Sequence, residues 1–312
     1  SFVGQGFCAL ANEPQFMAAL NASERAWVLQ AIAAALPDLA TWRAIDVSYS
    51  NMYFMGMVNA FLCAAAPGLP NATRVAATRA HGERLLQDWL AYAATAGNHE
   101  FDSPTYYWVQ MNALGLGCMT ERRRRRRRRT PPPPPPPPTH ICTILEHLWA
   151  DVAANFFAPT ETLSGPHSRD YDFLFGHGAL QVLTYVNGLG RSPPVCEVLD
   201  AHCERTDDGQ NALTLLNAIR ARDGSGAGHR PQPATLALAQ VGPFREVRSR
   251  WLGQRRTANN ESARFGDRYN YIRTGVYAIG SVSSDYITNT HTRYYPTPQD
   301  KLWSVELQAD PS

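Results

Sequence analysis

The feature that most constrains this chain is an alternation in its helical segments. Residues 51–66 are apolar nearly all round, the signature of a helix walled in on every side. Residues 71–94 differ. Val75, Leu85, Leu86, Trp89 and Leu90 form one stripe, and Arg74, Arg79, Glu83, Arg84 and Asp88 lie off it. The pattern then repeats. Residues 104–116 are apolar all round, 141–157 carry Glu146 and Asp151 apart from Leu145, Leu148, Trp149 and Val152, and 173–189 are again mostly apolar. A further polar-faced helix starts over 195–203. Upstream, the Ala-rich stretch from Asn21 predicts a helix that stops at Pro37. Buried and half-exposed helices in alternation are what stacked helical hairpins produce when an inner layer is enclosed by an outer one.

A period supports this reading. Polar-to-apolar switches fall at Ser50-Asn51, Ser103-Pro104 and Asp170-Tyr171. The first two are 53 residues apart. The next interval is 50 residues once the low-complexity insert at 122–138 is set aside. Repeats of this length mark stacked supersecondary units. The insert itself is Arg122–Arg129, Thr130 and Pro131–Pro138. Adjacent like charges repel, and a proline run adopts extended polyproline II, so the insert is expected to loop out between an inner helix and its outer partner.

That insert also distorts the charge balance. The chain has 29 Lys+Arg and 27 Asp+Glu, but without the eight arginines the remainder carries −6. The basic balance is therefore local, and no nucleic-acid partner is expected. No window approaches about 18 apolar residues, so no membrane span is expected. Six scattered cysteines lack metal-ligand spacing; they read as buried thiols, with one or two disulfides as the alternative. No metal and no cofactor are expected. Three N-x-S/T sequons begin at Asn21, Asn71 and Asn260, where about two arise by chance. They hint at secretion and leave the compartment open, and the chain reads as a fragment or a processed form.

The C-terminal part changes character. Residues 205–244 are rich in Gly, Pro and polar residues and read as a linker with one further helix near 211–221. From about 245 onward, TGVYAIGSVSSDYIT (274–288) and KLWSVELQA (301–309) have strand composition. The expected architecture is mainly α: an incomplete (α/α) toroid over 1–204, the linker, and part of a β-sandwich over 245–312.

Three segments carry a family resemblance: EFDSPTYYWVQMNAL (100–114), LSGPHSRDYDF (163–173) and TGVYAIGSVSSDYIT (274–288). They resemble segments of uncharacterised fungal and microbial (α/α)-toroid proteins that carry an E-[FY]-N-S-P-T-Y-Y motif. More distantly, the layout is similar to heparinase- and alginate-lyase-type polysaccharide lyases with a toroid and a β-sandwich. The chain departs from the motif at Asp102, where Asn is usual, and at Trp108, where Gly is usual. Trp108 would fill space that a substrate needs.

If the ring is right, each inner helix presents its preceding loop at one mouth, over 48–53, 98–107 and 164–177. The expected catalytic residues are His99, Glu100, Tyr106, Arg169 and Asp170, and the expected substrate contacts are Asn51, Tyr107, His167, Tyr171 and His177. Aromatic rings stack on sugar faces while polar groups take the hydroxyls, so a polysaccharide or oligosaccharide is the expected partner. Two chemistries compete. An inverting hydrolase needs two carboxylates about 6.5–9.5 Å apart, from Glu100 or Asp102 and from Asp170 or Asp172. A uronate lyase needs a Tyr or His base and an Asn, Arg or His to neutralise the substrate carboxylate. Against both stands a bland reading, in which Asp102-Ser103-Pro104 is only a helix start. A non-catalytic glycan-binding or scaffold protein is the second hypothesis. A terpenoid-type toroid enzyme ranks last, because its aspartate-rich metal motifs are absent from the sequence.

Overall fold

The computed structural model describes residues 2–42, 50–96, 98, 103–104, 106–127, 140–167, 178–190, 230–252, 265–282 and 303–307. It is mainly helical with an antiparallel sheet. The helices are α1 (Phe2–Ala11), α2 (Pro14–Ala19), α3 (Ala22–Thr41), α4 (Ser50–Ala65), α5 (Ala72–Ala96), α6 (Tyr107–Arg127), α7 (His140–Asn155), α8 (Gly178–Val186) and the short α9 (Pro233–Leu236). A 3-10 turn, Ala237–Gln240, follows α9. A two-residue ribbon pairs β1 (Phe156–Phe157) with β2 (Thr162–Leu163). The main sheet is a four-stranded antiparallel meander of β3 (Phe244–Leu252), β4 (Phe265–Arg273), β5 (Tyr277–Val282) and β6 (Trp303–Leu307).

The expected alternation of burial is present. Thirteen of the sixteen residues of α4 are buried, so this helix has no solvent face. It packs against α1, α3, α5 and α6, and α6 packs in turn against α7 and α8. Phe54, Met57, Leu62, Leu114, Leu148 and Val152 belong to one continuous core. Each such side chain contributes about 1.5–3 kcal/mol when fully buried. Polar pins fix the layers. The Tyr53 hydroxyl donates to the Leu85 carbonyl at 2.9 Å, and Thr78 Oγ1 donates to the Leu36 carbonyl at 3.0 Å.

Several boundaries differ from the sequence reading. Helix α3 does not stop at Pro37 but runs through it to Thr41. Proline forfeits one backbone hydrogen bond and crowds the preceding turn. Here fully buried Leu36 anchors that turn, and Thr41 Oγ1 donates to the Pro37 carbonyl at 3.1 Å. Helix α6 runs into the arginine run as far as Arg127, because an established apolar helix propagates easily into residues of high helix propensity. Helix α7 ends at Asn155, and Phe156–Phe157 turn into β1. The candidate helices at 195–203 and 211–221, and residues 173–177 of the 173–189 segment, lie outside the described residues.

The thiol reading is corrected at four positions. Cys8 bonds to Cys63, joining α1 to α4, and Cys118 bonds to Cys142, joining α6 to α7. Their Cα atoms lie 4.9 and 5.0 Å apart, within the range a disulfide spans. The second bridge closes the ring from which the Arg/Pro insert departs. Cys196 and Cys203 lie outside the described residues.

Candidate functional site: a polar seam between helices and sheet

Helix α6 starts as the sequence suggests. Ser103 is fully buried, its Oγ accepts from the Tyr106 amide at 3.0 Å, and its carbonyl accepts from the Tyr107 amide at 2.9 Å. Ser103 therefore does the work of an N-cap. The turn that follows divides two neighbouring phenols. Tyr106 stays half-buried, whereas Tyr107 points inward and is wholly buried. Gln110, one turn on, is also buried, and its Oε1 accepts from Asn98 Nδ2 at 3.1 Å.

Tyr107 leads into a connected polar seam. Its hydroxyl donates to Asp151 Oδ2 at 2.5 Å. The other oxygen, Oδ1, accepts from Arg268 Nη2 at 2.6 Å and from Asn155 Nδ2 at 3.1 Å. Arg268 Nη2 also donates to Ser249 Oγ at 3.0 Å. One carboxylate on α7 thus joins a phenol of α6 to a guanidinium of β4. The seam continues through Asn270, whose Nδ2 donates to Asn155 Oδ1 and to Ser164 Oγ and carbonyl, each at 3.0 Å. Ser164 Oγ donates to the Asn155 carbonyl at 2.8 Å.

Strand periodicity explains how the sheet supplies these groups. Side chains alternate across a strand. Arg268, Asn270 and Ile272 of β4 are buried, and Tyr269, Tyr271 and Arg273 fall on the other face. The backbone at 164–166 lies directly on the inward face. Gly165, at φ 99°, donates its amide to Ser304 Oγ at 3.0 Å. A Cβ on Gly280 would sit 2.3 Å from the Gly165 Cα and 2.7 Å from Pro166 Cδ, so only glycine permits this approach.

Arg245 of β3 fastens the same seam from its other end. It donates to the backbone carbonyls of Ala154 (3.0 Å), Phe156 (2.5 Å) and Ala239 (2.7 Å). Burial pushes its guanidinium pKa below the ordinary arginine value. Glu146 of α7 accepts from the Gln232 amide at 2.9 Å and from the Thr235 hydroxyl, tying down the segment that enters the sheet.

Of the ten expected site residues, four are described. Asn51 is 2% exposed in the first turn of α4, His167 is 1% exposed just beyond the segment that lies on the sheet, Tyr106 is half-buried, and Tyr107 is bonded to Asp151. His99, Glu100, Arg169, Asp170, Tyr171 and His177 lie outside the described residues. Sequence reasoning missed Asp151, Arg268, Asn155, Asn270 and Arg245. Asp151 read as part of the polar face of an amphipathic helix, and Arg268 lies in a strand that was not singled out.

Among the described residues there is no group of three or more His, Cys, Asp or Glu able to hold a metal ion. No helix among them is long and apolar enough to cross a membrane. Comparison of the chain with protein-family models, with curated proteins and with solved structures gives no match.

Proposed function

We propose that this chain is a carbohydrate-active protein, a uronate lyase or a glycoside hydrolase, and that it works where the helical layer meets the sheet. The helices are read as part of an (α/α) toroid and the sheet as the start of a β-sandwich. Inner α4 and α6 enclosed by α3, α5 and α7 support the first reading. The outward face of the sheet supports the second: Phe244, Tyr271, Ile279, Val305 and Leu307 are exposed, and a second sheet packed there would cover them.

The observation that carries the functional reading is the Tyr107–Asp151–Arg268 chain, with half-buried Tyr106 and buried Asn51 and His167 as further groups of the right type. Phenol, amide, imidazole and guanidinium are the set a lyase uses to take a proton and to neutralise a uronate. Asp151 is bonded into the seam, and three side chains, those of Tyr107, Arg268 and Asn155, already hold it. A hydrolase would draw its acid and base from Glu100, Asp102, Asp170 or Asp172.

One observation favours a second reading, a non-catalytic glycan-binding or scaffold protein. Tyr107 is closed off from solvent, and its hydroxyl is committed to Asp151. Incubation with a panel of uronate and neutral polysaccharides separates the two. A lyase yields an unsaturated product absorbing in the near ultraviolet, and a hydrolase yields reducing ends. Neither signal across the panel refutes the enzyme. Glycan binding that persists in Glu100→Gln combined with Tyr106→Phe then establishes the second reading.

A further inference from the structure

We propose that Asn21 and Asn71 carry N-linked glycans, so that this chain folds in an oxidising, lumenal compartment. Both asparagines open a sequon, with Ser23 and Thr73 two residues on. Both also cap a helix, which accounts for the asparagine; the Ser23 hydroxyl joins the cap at Asn21, whereas the cap bond at Asn71 comes from the Arg74 amide and does not involve Thr73. At Asn21, Oδ1 accepts from the Glu24 amide at 3.0 Å and from Ser23 Oγ at 2.7 Å. At Asn71, Oδ1 accepts from the Arg74 amide at 3.0 Å. The cap uses only the oxygen in each case and leaves Nδ2, the atom that bears a glycan, uncommitted. A glycosylated asparagine therefore keeps its cap.

The surroundings leave room for a bulky group. Residues 21–27 and 70–74 are unbroken exposed runs. Both sites belong to the outer helices α3 and α5, which pack against each other. The two disulfides are an independent observation in the same direction, since such bonds persist in oxidising compartments.

The chemistry balances with two co-reactants. In the transfer step, Nδ2 bonds to the anomeric carbon of a lipid-diphosphate-linked oligosaccharide, the bond from that carbon to the diphosphate oxygen breaks, and the amide loses one proton to the transferase. In each disulfide step, two thiols give two electrons and two protons to a lumenal disulfide oxidant.

The test is to express the full chain behind a cleavable secretory leader in a eukaryotic cell and to analyse total lysate together with medium. Release of glycans by peptide N-glycosidase in oxygen-18 water converts each occupied asparagine to labelled aspartate. Label at both Asn21 and Asn71, on chains whose Cys8–Cys63 and Cys118–Cys142 bridges are formed, is the expected result. Ser23→Ala and Thr73→Ala each remove one glycan and keep the capping asparagine; Asn71→Asp, which retains a capping oxygen, stands in if Thr73→Ala misfolds. Absence of label at Asn21 and Asn71, label at Asn260 alone, or label confined to reduced, protease-sensitive chain overturns the proposal.

Discussion

Replacing Arg268 by methionine tests whether the sheet is locked to the helices as described. Arg268 is 4% exposed and Asp151 19%, and the two are joined at 2.6 Å. Removing one partner of a fully buried ion pair costs about 3–5 kcal/mol, because the other charge is left behind in a poor solvent. Asp151 keeps some contact with water, as well as the Tyr107 hydroxyl and the Asn155 amide, so the expected loss lies at the low end, about 3 kcal/mol. With a urea slope of about 3 kcal/mol per molar, that moves the unfolding midpoint down by about 1 M. Tryptophan fluorescence and far-ultraviolet circular dichroism, followed together, measure it and check that the transition is cooperative. A double-mutant cycle with Asp151→Asn should return a coupling of about 2 kcal/mol. A loss below about 0.5 kcal/mol for Arg268→Met, the size of an exposed pair, would refute the seam as a buried contact.

Two further outcomes are expected. Removing the Cys8–Cys63 bridge by paired serine substitution opens a loop of 55 residues, and removing Cys118–Cys142 opens one of 24. Chain entropy then predicts losses of about 4 and about 3.5 kcal/mol, read from urea midpoints, and the reverse order would count against this account. At high pH, Tyr53 governs a distinct loss. Burial first, and then the charge of Asp88, raises its phenol pKa well above the ordinary tyrosine value. A raised folded-state pKa leaves its contribution intact below about pH 10, where the unfolded phenol stays protonated, and erodes it as pH rises above that. Tyr53→Phe should flatten the fall in stability between about pH 10 and 11, and an unchanged slope would show that Tyr53 is not the titrating group.

The helices were legible because their pattern follows from burial alone. A helix enclosed on all sides needs apolar residues all round, as in α4, and one at the edge needs a single stripe, as in α5. Caps were legible for the same local reason, and Ser103 does what its place before Pro104 suggests. Strands β5 and β6 fall inside segments of strand composition. Strands β3 and β4 were not singled out, because FREVRSRWL and FGDRYNYIR carry polar side chains on both faces.

The site was less legible. Tyr106 and Tyr107 were marked together, yet helix geometry turns one wholly inward and leaves the other half-buried. Asp151 and Glu146 lie off the apolar stripe of α7 and read as solvated. The sheet and the 230–240 segment cover that face of the helix and convert it into an interface. A polar residue facing water and one facing a buried partner obey the same periodicity, so spacing cannot distinguish them.

From the sequence alone came the helical majority, the alternation of enclosed and half-exposed helices, the change to strands near residue 245, and the helix start at Ser103. All depend on interactions within a few residues or on averaged burial. Tertiary structure alone decided that Cys8 meets Cys63, that Cys118 meets Cys142, and that Tyr107, Asp151 and Arg268 meet at one point. Arg268 lies 117 residues from Asp151, and contacts at that range are set by how whole layers pack.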